Sequence, residues 1–162
     1  MKWMALGMVL IAAAVQAPVA QAAVITFATS LSGPNESPPN ASPGTGNAVV
    51  TINDVANTMA VRVDFTGLLG TTTASHIHCC TEPPGTAMVA TTTPTFPDFP
   101  LGVTSGTYDR LFSLLDPSTY NPAFITAHGG TVAGAEAALI AGLEAGEAYL
   151  NPDSPDGSMK YR

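Results

Sequence analysis

Basic side chains are scarce in this 162-residue sequence: five Lys and Arg stand against twelve Asp and Glu, for a net charge of −7. Arg62 and Arg110 lie far from each other and from the terminal Lys160 and Arg162, and the four build no patch in the sequence. That argues against nucleic acid and anionic membrane surfaces as partners. Cysteine is scarcer still. The two present, Cys79 and Cys80, are neighbours. They cannot staple distant segments, so a disulfide scaffold of the usual kind is excluded. The sequence also has no glycine-rich phosphate loop, G-x-S-x-G elbow, paired carboxylates of the glycosidase type, internal repeat or coiled-coil heptad. The common phosphate-binding and hydrolytic chemistries therefore have no carrier.

What is present begins with "MKWMALGMVLIAAAVQAPVAQA", residues 1–22. A basic Lys2, an apolar run and small residues ending Ala20-Gln21-Ala22 form the pattern of a secretory signal peptide. A membrane anchor is the alternative, but a spanning helix needs about 20 apolar residues and this run is shorter. Cleavage after Ala22 leaves 140 residues, one domain with no further membrane span, at a net charge of −8. Export places the chain in the periplasm or outside the cell, where thiols meet oxidising conditions.

The mature chain is rich in Thr, Ala, Val, Gly and Pro, a composition of strands and turns. Val24–Leu31 alternates with Ile25, Phe27, Thr29 and Leu31 on the more apolar face. "GPNESPPNASPGTG" (33–46) is a loop. "NAVVTIN" and "TMAVRVDF", joined by "DVAN", predict a hairpin. In its second strand Met59, Val61, Val63 and Phe65 face the core while Arg62 and Asp64 face water. Ala87–Thr91 and "TYDRLFSL" are further strand candidates. The three prolines of "TPTFPDFPLGVTSG" forbid a regular element between them, and Pro122 marks a turn. One helix is predicted over "TVAGAEAALIAGLEAG". It has Thr131 as N-cap, a stripe of Ala135, Leu139 and Leu143, and Gly146 at its stop. Glu147–Asn151 is the last strand. The sum is a mainly β domain of two packed sheets with one helical insertion.

"LSGPNESPP" (31–39), the G-x-A-x-V-x-I strand (46–52), "GL…ASHIH" (67–78), "PLGVTSGTYD" (100–109) and "EAYLN" occur in an order that resembles the CHRD domain, named for chordin and common in secreted bacterial proteins. The resemblance covers nearly all of the mature chain, 23–162. It implies an extracytoplasmic immunoglobulin-like β-sandwich or barrel. That family closes with a pattern of the kind Y-x-N-I-H-T followed by G-E-I-R-G. Tyr149 and Asn151 fit, but the histidine and the final strand do not follow in "PDSPDGSMKYR". An atypical or truncated C-terminus, lacking the last strand, is the expectation.

The candidate chemistry lies in "TASHIHCC". If this is a strand, His76 and His78 share a face and Ile77 takes the other. Same-face histidines two apart are near enough to chelate one ion, and imidazole suits copper or zinc. The alternative is that both rings are partly buried and hydrogen-bonded, holding the following loop. Two ligands make a weak site. Further ones would come from Cys79, Cys80, His128, Glu82, Asp98 or water. The two cysteines form a vicinal disulfide, the favoured reading, or remain thiols, or ligate metal. The C-x-x-C spacing of redox catalysts is absent. His128 precedes a turn. The H-x-H pair on a β-sandwich strand resembles copper–zinc superoxide dismutase, but one further histidine is too few for a complete site of that type. Ser75 and His76, as strand neighbours, point apart and form no nucleophile–base pair. Phe96, Phe99, Tyr108, Phe112, Tyr120 and Phe124 read as core.

Three functions follow. The first is a non-enzymatic binding or structural module, with a transition metal at His76 and His78. The second is a copper or zinc oxidoreductase, which needs at least three ligands converging on one open position. The third is an extracellular adhesion or matrix module for a protein or glycan, which an exposed aromatic patch on the loops would favour.

Overall fold

The computed structural model describes residues 23–36 and 39–155. The predicted leader, 1–22, and residues 156–162 lie outside them. The strands are β1 (Val24–Ser32), β2 (Thr45–Asn53), β3 (Thr58–Thr66), β4 (Ala74–Cys79), β5 (Met88–Val89), β6 (Gly106–Ser113) and β7 (Tyr149–Asp153). Two helices, α1 (Pro122–Ala127) and α2 (Val132–Ala145), stand between β6 and β7. All strand pairs are antiparallel. One sheet has the order β1-β2-β3-β6, the other β5-β4-β7. The fold is a β-sandwich with a helical insertion, as the sequence predicts.

The first sheet follows directly from period-two alternation. Its inward positions include Leu31, Ala48, Val50, Ile52, Met59, Val61, Val63, Phe65, Tyr108 and Phe112, all buried. Outward, Arg62 pairs with Asp109 at 2.9 Å across β3 and β6, with both side chains largely exposed. Such a pair adds little to stability. The β2–β3 turn is closed by Asn57 at φ 49°, a left-handed position that asparagine tolerates better than most residues. The second sheet contributes Ile77 and Leu150, directly opposed across β4 and β7, to the same core.

Helix α2 forms where its caps and stripe place it. Thr131 accepts a hydrogen bond from the Gly134 amide, and Gly146 closes the helix at φ 71°. Ala135, Leu139 and Leu143 are buried. Helix α1 departs from the expected turn at Pro122. Asn121 caps the Ala123 amide and Pro122 occupies the first turn, where its missing N–H costs nothing. Strand β7 also differs from expectation. It begins at Tyr149 and runs two residues past Asn151, through Pro152 to Asp153. Pro152 is tolerated because β7 pairs only with β4 among the described residues.

The six middle aromatics are core. Phe96 stacks on Tyr108 at 5.8 Å and meets Phe112 at 5.4 Å, and Phe99 meets Tyr108 at 5.2 Å. Burial pushes the Tyr108 hydroxyl up to about 12 from its ordinary 10.0, outweighing the Arg110 charge that pulls it down. Tyr120 is raised as well, by burial first and the Glu136 charge second. A phenol whose folded value is raised contributes stability that is complete below pH 10. That stability is lost as pH climbs through the folded value. Urea denaturation across pH 9 to 12 should therefore show stability falling above pH 10, and less steeply in Tyr108→Phe. An unchanged slope in that variant would remove Tyr108 from the account.

Candidate functional site

The quoted segment is β4, and its two faces do different work. Ser75, Ile77 and Cys79 turn inward and are buried to 1% exposure or less. His76 and His78 share the opposite face, with ring centroids 5.9 Å apart and planes nearly perpendicular. Ser75 and His76 thus point apart, as strand neighbours must.

The histidine face is not open, because the segment after Cys80 folds back along β4. Only Met88 and Val89 of this segment pair as a strand. Beyond them the ladder breaks where the Ala90 and Thr91 amides both donate to Ile77 O, and threonine hydroxyls take over. Thr91 Oγ1 accepts from the Ile77 amide and Thr95 Oγ1 from the Ser75 amide, both at 2.9 Å. The Phe96 amide returns a bond to Ser75 O at 3.0 Å. This route leaves two backbone carbonyls facing the imidazoles. Pro94 O lies 2.7 Å from His76 Nε2, and Ala87 O lies 2.9 Å from His78 Nδ1. A carbonyl only accepts, so each of these nitrogens carries the proton. His78 also stacks on Tyr149, 4.7 Å between centroids, and the Tyr149 hydroxyl accepts from the Ala87 amide at 3.0 Å.

Strand β7 supplies the rest of this face. Asn151 stands opposite His76, and Asp153 opposite Ala74. Asp153 Oδ2 lies 3.5 Å from His76 Nδ1. The sequence reading missed Asp153 because it ended the strand at Asn151. Continuing the alternation by two residues places it on the histidine face.

Cys79 and Cys80 are bonded to each other. Their sulfurs lie against helix α2, 3.8 and 3.4 Å from Ala138 O. Disulfide sulfur carries no hydrogen, so these are packing contacts and not hydrogen bonds. A sulfur so bonded is not a thiolate ligand. The other proposed ligands are dispersed. His128 ends helix α1, where its Nδ1 donates to Phe124 O at 2.9 Å. Asp98 is paired with Arg110, and Glu82 is exposed in the loop after Cys80. Among the described residues, no three His, Cys, Asp or Glu side chains stand in metal-holding geometry.

The family model of the CHRD domain matches residues 27–157, which hold all the CHRD-like motifs quoted above and every strand from β2 onward. The chain belongs to the CHRD domain family. No curated protein and no solved structure matches it. CHRD domains are typically extracellular, and no described helix is long and apolar enough to cross a membrane. In this CHRD domain the H-x-H strand, its covering loop and β7 bring imidazole, carboxylate and amide groups together at His76, Asp153 and Asn151.

Proposed function

We propose that this CHRD domain is an exported, non-enzymatic binding or structural module. On this reading His76 and His78 are primarily fasteners of the covering loop. The observation that carries it is the pair of imidazole-to-carbonyl bonds, His76 to Pro94 and His78 to Ala87, which spend one nitrogen of each ring on the protein's own backbone. The Cys79–Cys80 bond, likewise, points to packing against α2. Phe96 and Phe99, which would make a loop-borne aromatic patch for adhesion, are 0% and 5% exposed. A partner, protein or glycan, would be met on other surfaces. Export rests on the 1–22 pattern and on the usual location of the family.

The test is the unfolding free energy and redox turnover of the exported domain supplied with copper and zinc, for wild type and His78→Ala. Loss of the Ala87 bond and the Tyr149 stack should cost about 1–2 kcal/mol, with no superoxide-consuming turnover in either protein. Turnover in the wild type that disappears with His78 would overturn the reading in favour of an oxidoreductase.

A further inference from the structure

The outer face of the β4–β7 pair holds polar atoms that the fold leaves unanswered. His76 is 7% exposed and Asn151 is 8% exposed. The His76 Nε2 proton is committed to Pro94 O, so a neutral ring presents a lone pair at Nδ1. That atom is buried and has no hydrogen-bond partner among the described residues. Its neighbour at 3.5 Å is a carboxylate oxygen, Asp153 Oδ2, which also only accepts. Asn151, directly across from His76, turns its amide nitrogen to Asp153 Oδ1 at 2.5 Å. Its own Oδ1 is buried and likewise unmatched. A ring lone pair and a carboxylate oxygen facing each other under cover repel one another, and unpaired buried acceptors are costly.

A cation between Nδ1 and Oδ2 would turn their repulsion into two bonds. Two ligand atoms at about 2.1 Å from a tetrahedral ion stand about 3.4 Å apart. The 3.5 Å between Nδ1 and Oδ2 matches that spacing, and it is long against the roughly 2.9 Å of an ordinary N–H···O bond. The bond from His76 Nε2 to Pro94 O is the outer-shell contact that fixes the tautomer of a ligating histidine. The Asp153 side chain is 34% exposed, which gives an ion a way in from solvent. The acidic chain favours cations overall.

We propose that His76 Nδ1 and Asp153 Oδ2 bind one divalent transition ion, zinc or copper(II), with Asn151 Oδ1 and water completing its shell. This assignment differs from chelation by the H-x-H pair, because the second protein charge comes from β7. It is a site of modest affinity and open coordination, and it does not require turnover.

The experiment is calorimetric titration of zinc chloride into the exported domain in a non-chelating buffer, for wild type and Asp153→Asn, with 15N spectra of the histidine rings. One zinc per chain is expected, weakened at least about 10-fold in Asp153→Asn. The His76 Nδ1 resonance should shift on saturation while its Nε2 proton is retained. Equal affinity in Asp153→Asn would overturn the proposal, as would no binding by the folded wild type. If Asp153→Asn does not fold, the wild-type spectrum decides. An Nδ1 that carries a proton and ignores zinc identifies an imidazolium–carboxylate pair, and the metal site falls.

Discussion

Replacing Phe96 by alanine should cost about 3–5 kcal/mol, the range for emptying a fully buried aromatic position. Phe96 is 0% exposed and sits between the two sheets. Its ring packs on Tyr108 and Phe112 of β6, and its amide holds Ser75 O of β4. The residues beside it are fixed by the same anchor. Pro94 O receives His76 Nε2, Thr95 Oγ1 receives the Ser75 amide, and Pro97 O receives the Tyr108 hydroxyl at 3.0 Å. Losing the ring should therefore do more than open a cavity. It should free the segment that orients His76. The comparison is Phe124→Ala, an equally buried ring carried by helix α1 itself. Both variants should lose several kcal/mol in urea denaturation. Only Phe96→Ala should also lose the signal of the His76 Nε2 proton, which is bonded to Pro94 O, in its native spectrum. A Phe96→Ala protein within 1 kcal/mol of wild type would mean the segment is held from elsewhere. So would one with that proton undisturbed.

That segment also marks the boundary of what the sequence makes legible. Strands β2 and β3 and helix α2 each carry a full period of apolar positions, β1 and β6 a broken one in which Thr29 and Arg110 interrupt the inward face, and α2 has both caps. Local chemistry and global burial agree there, and the elements fall within a residue or two of expectation. Of the strand candidate Ala87–Thr91 only Met88 and Val89 pair as a strand, and residues 90–96 carry no regular period. They follow β4 through Thr91 and Thr95 hydroxyls and a few carbonyls, bonds that leave no pattern in residue type. Helix α1 escaped notice because Asn121-Pro122 signals a turn and a helix start equally well. The shared face of His76 and His78 was legible from spacing alone. What they face was not, since Pro94 O and Ala87 O are backbone atoms. Asp153 stayed hidden behind Pro152, which argues against a central strand but not against an edge one.

Gly142→Ala carries the other large effect, and its sign is the informative part. In an exposed helix interior, alanine in place of glycine gains about 1 kcal/mol. Here the same change should lose about 1–3 kcal/mol through overpacking. Gly142 is buried on the face of α2 that meets β4. A methyl group there would overlap the sulfur of Cys79 and stand 2.8 Å from that of Cys80. The helix end has little freedom to yield. Glu147 N donates to Gly142 O at 2.8 Å and Thr81 N to Glu147 O at 3.0 Å, tying the helix C-terminus to the end of β4. The vicinal cysteines and the glycine are thus two halves of one contact, which explains why a pair unable to staple distant segments still organises the fold. A double-mutant cycle isolates the contact. In a Cys79→Ala/Cys80→Ala background the overlapping sulfurs are gone, and Gly142→Ala should become neutral or stabilising. If Gly142→Ala is as damaging in that background as in the wild type, the glycine serves something other than the disulfide. If it is stabilising in both, helix α2 has room to shift, and the contact does not constrain where it sits on β4.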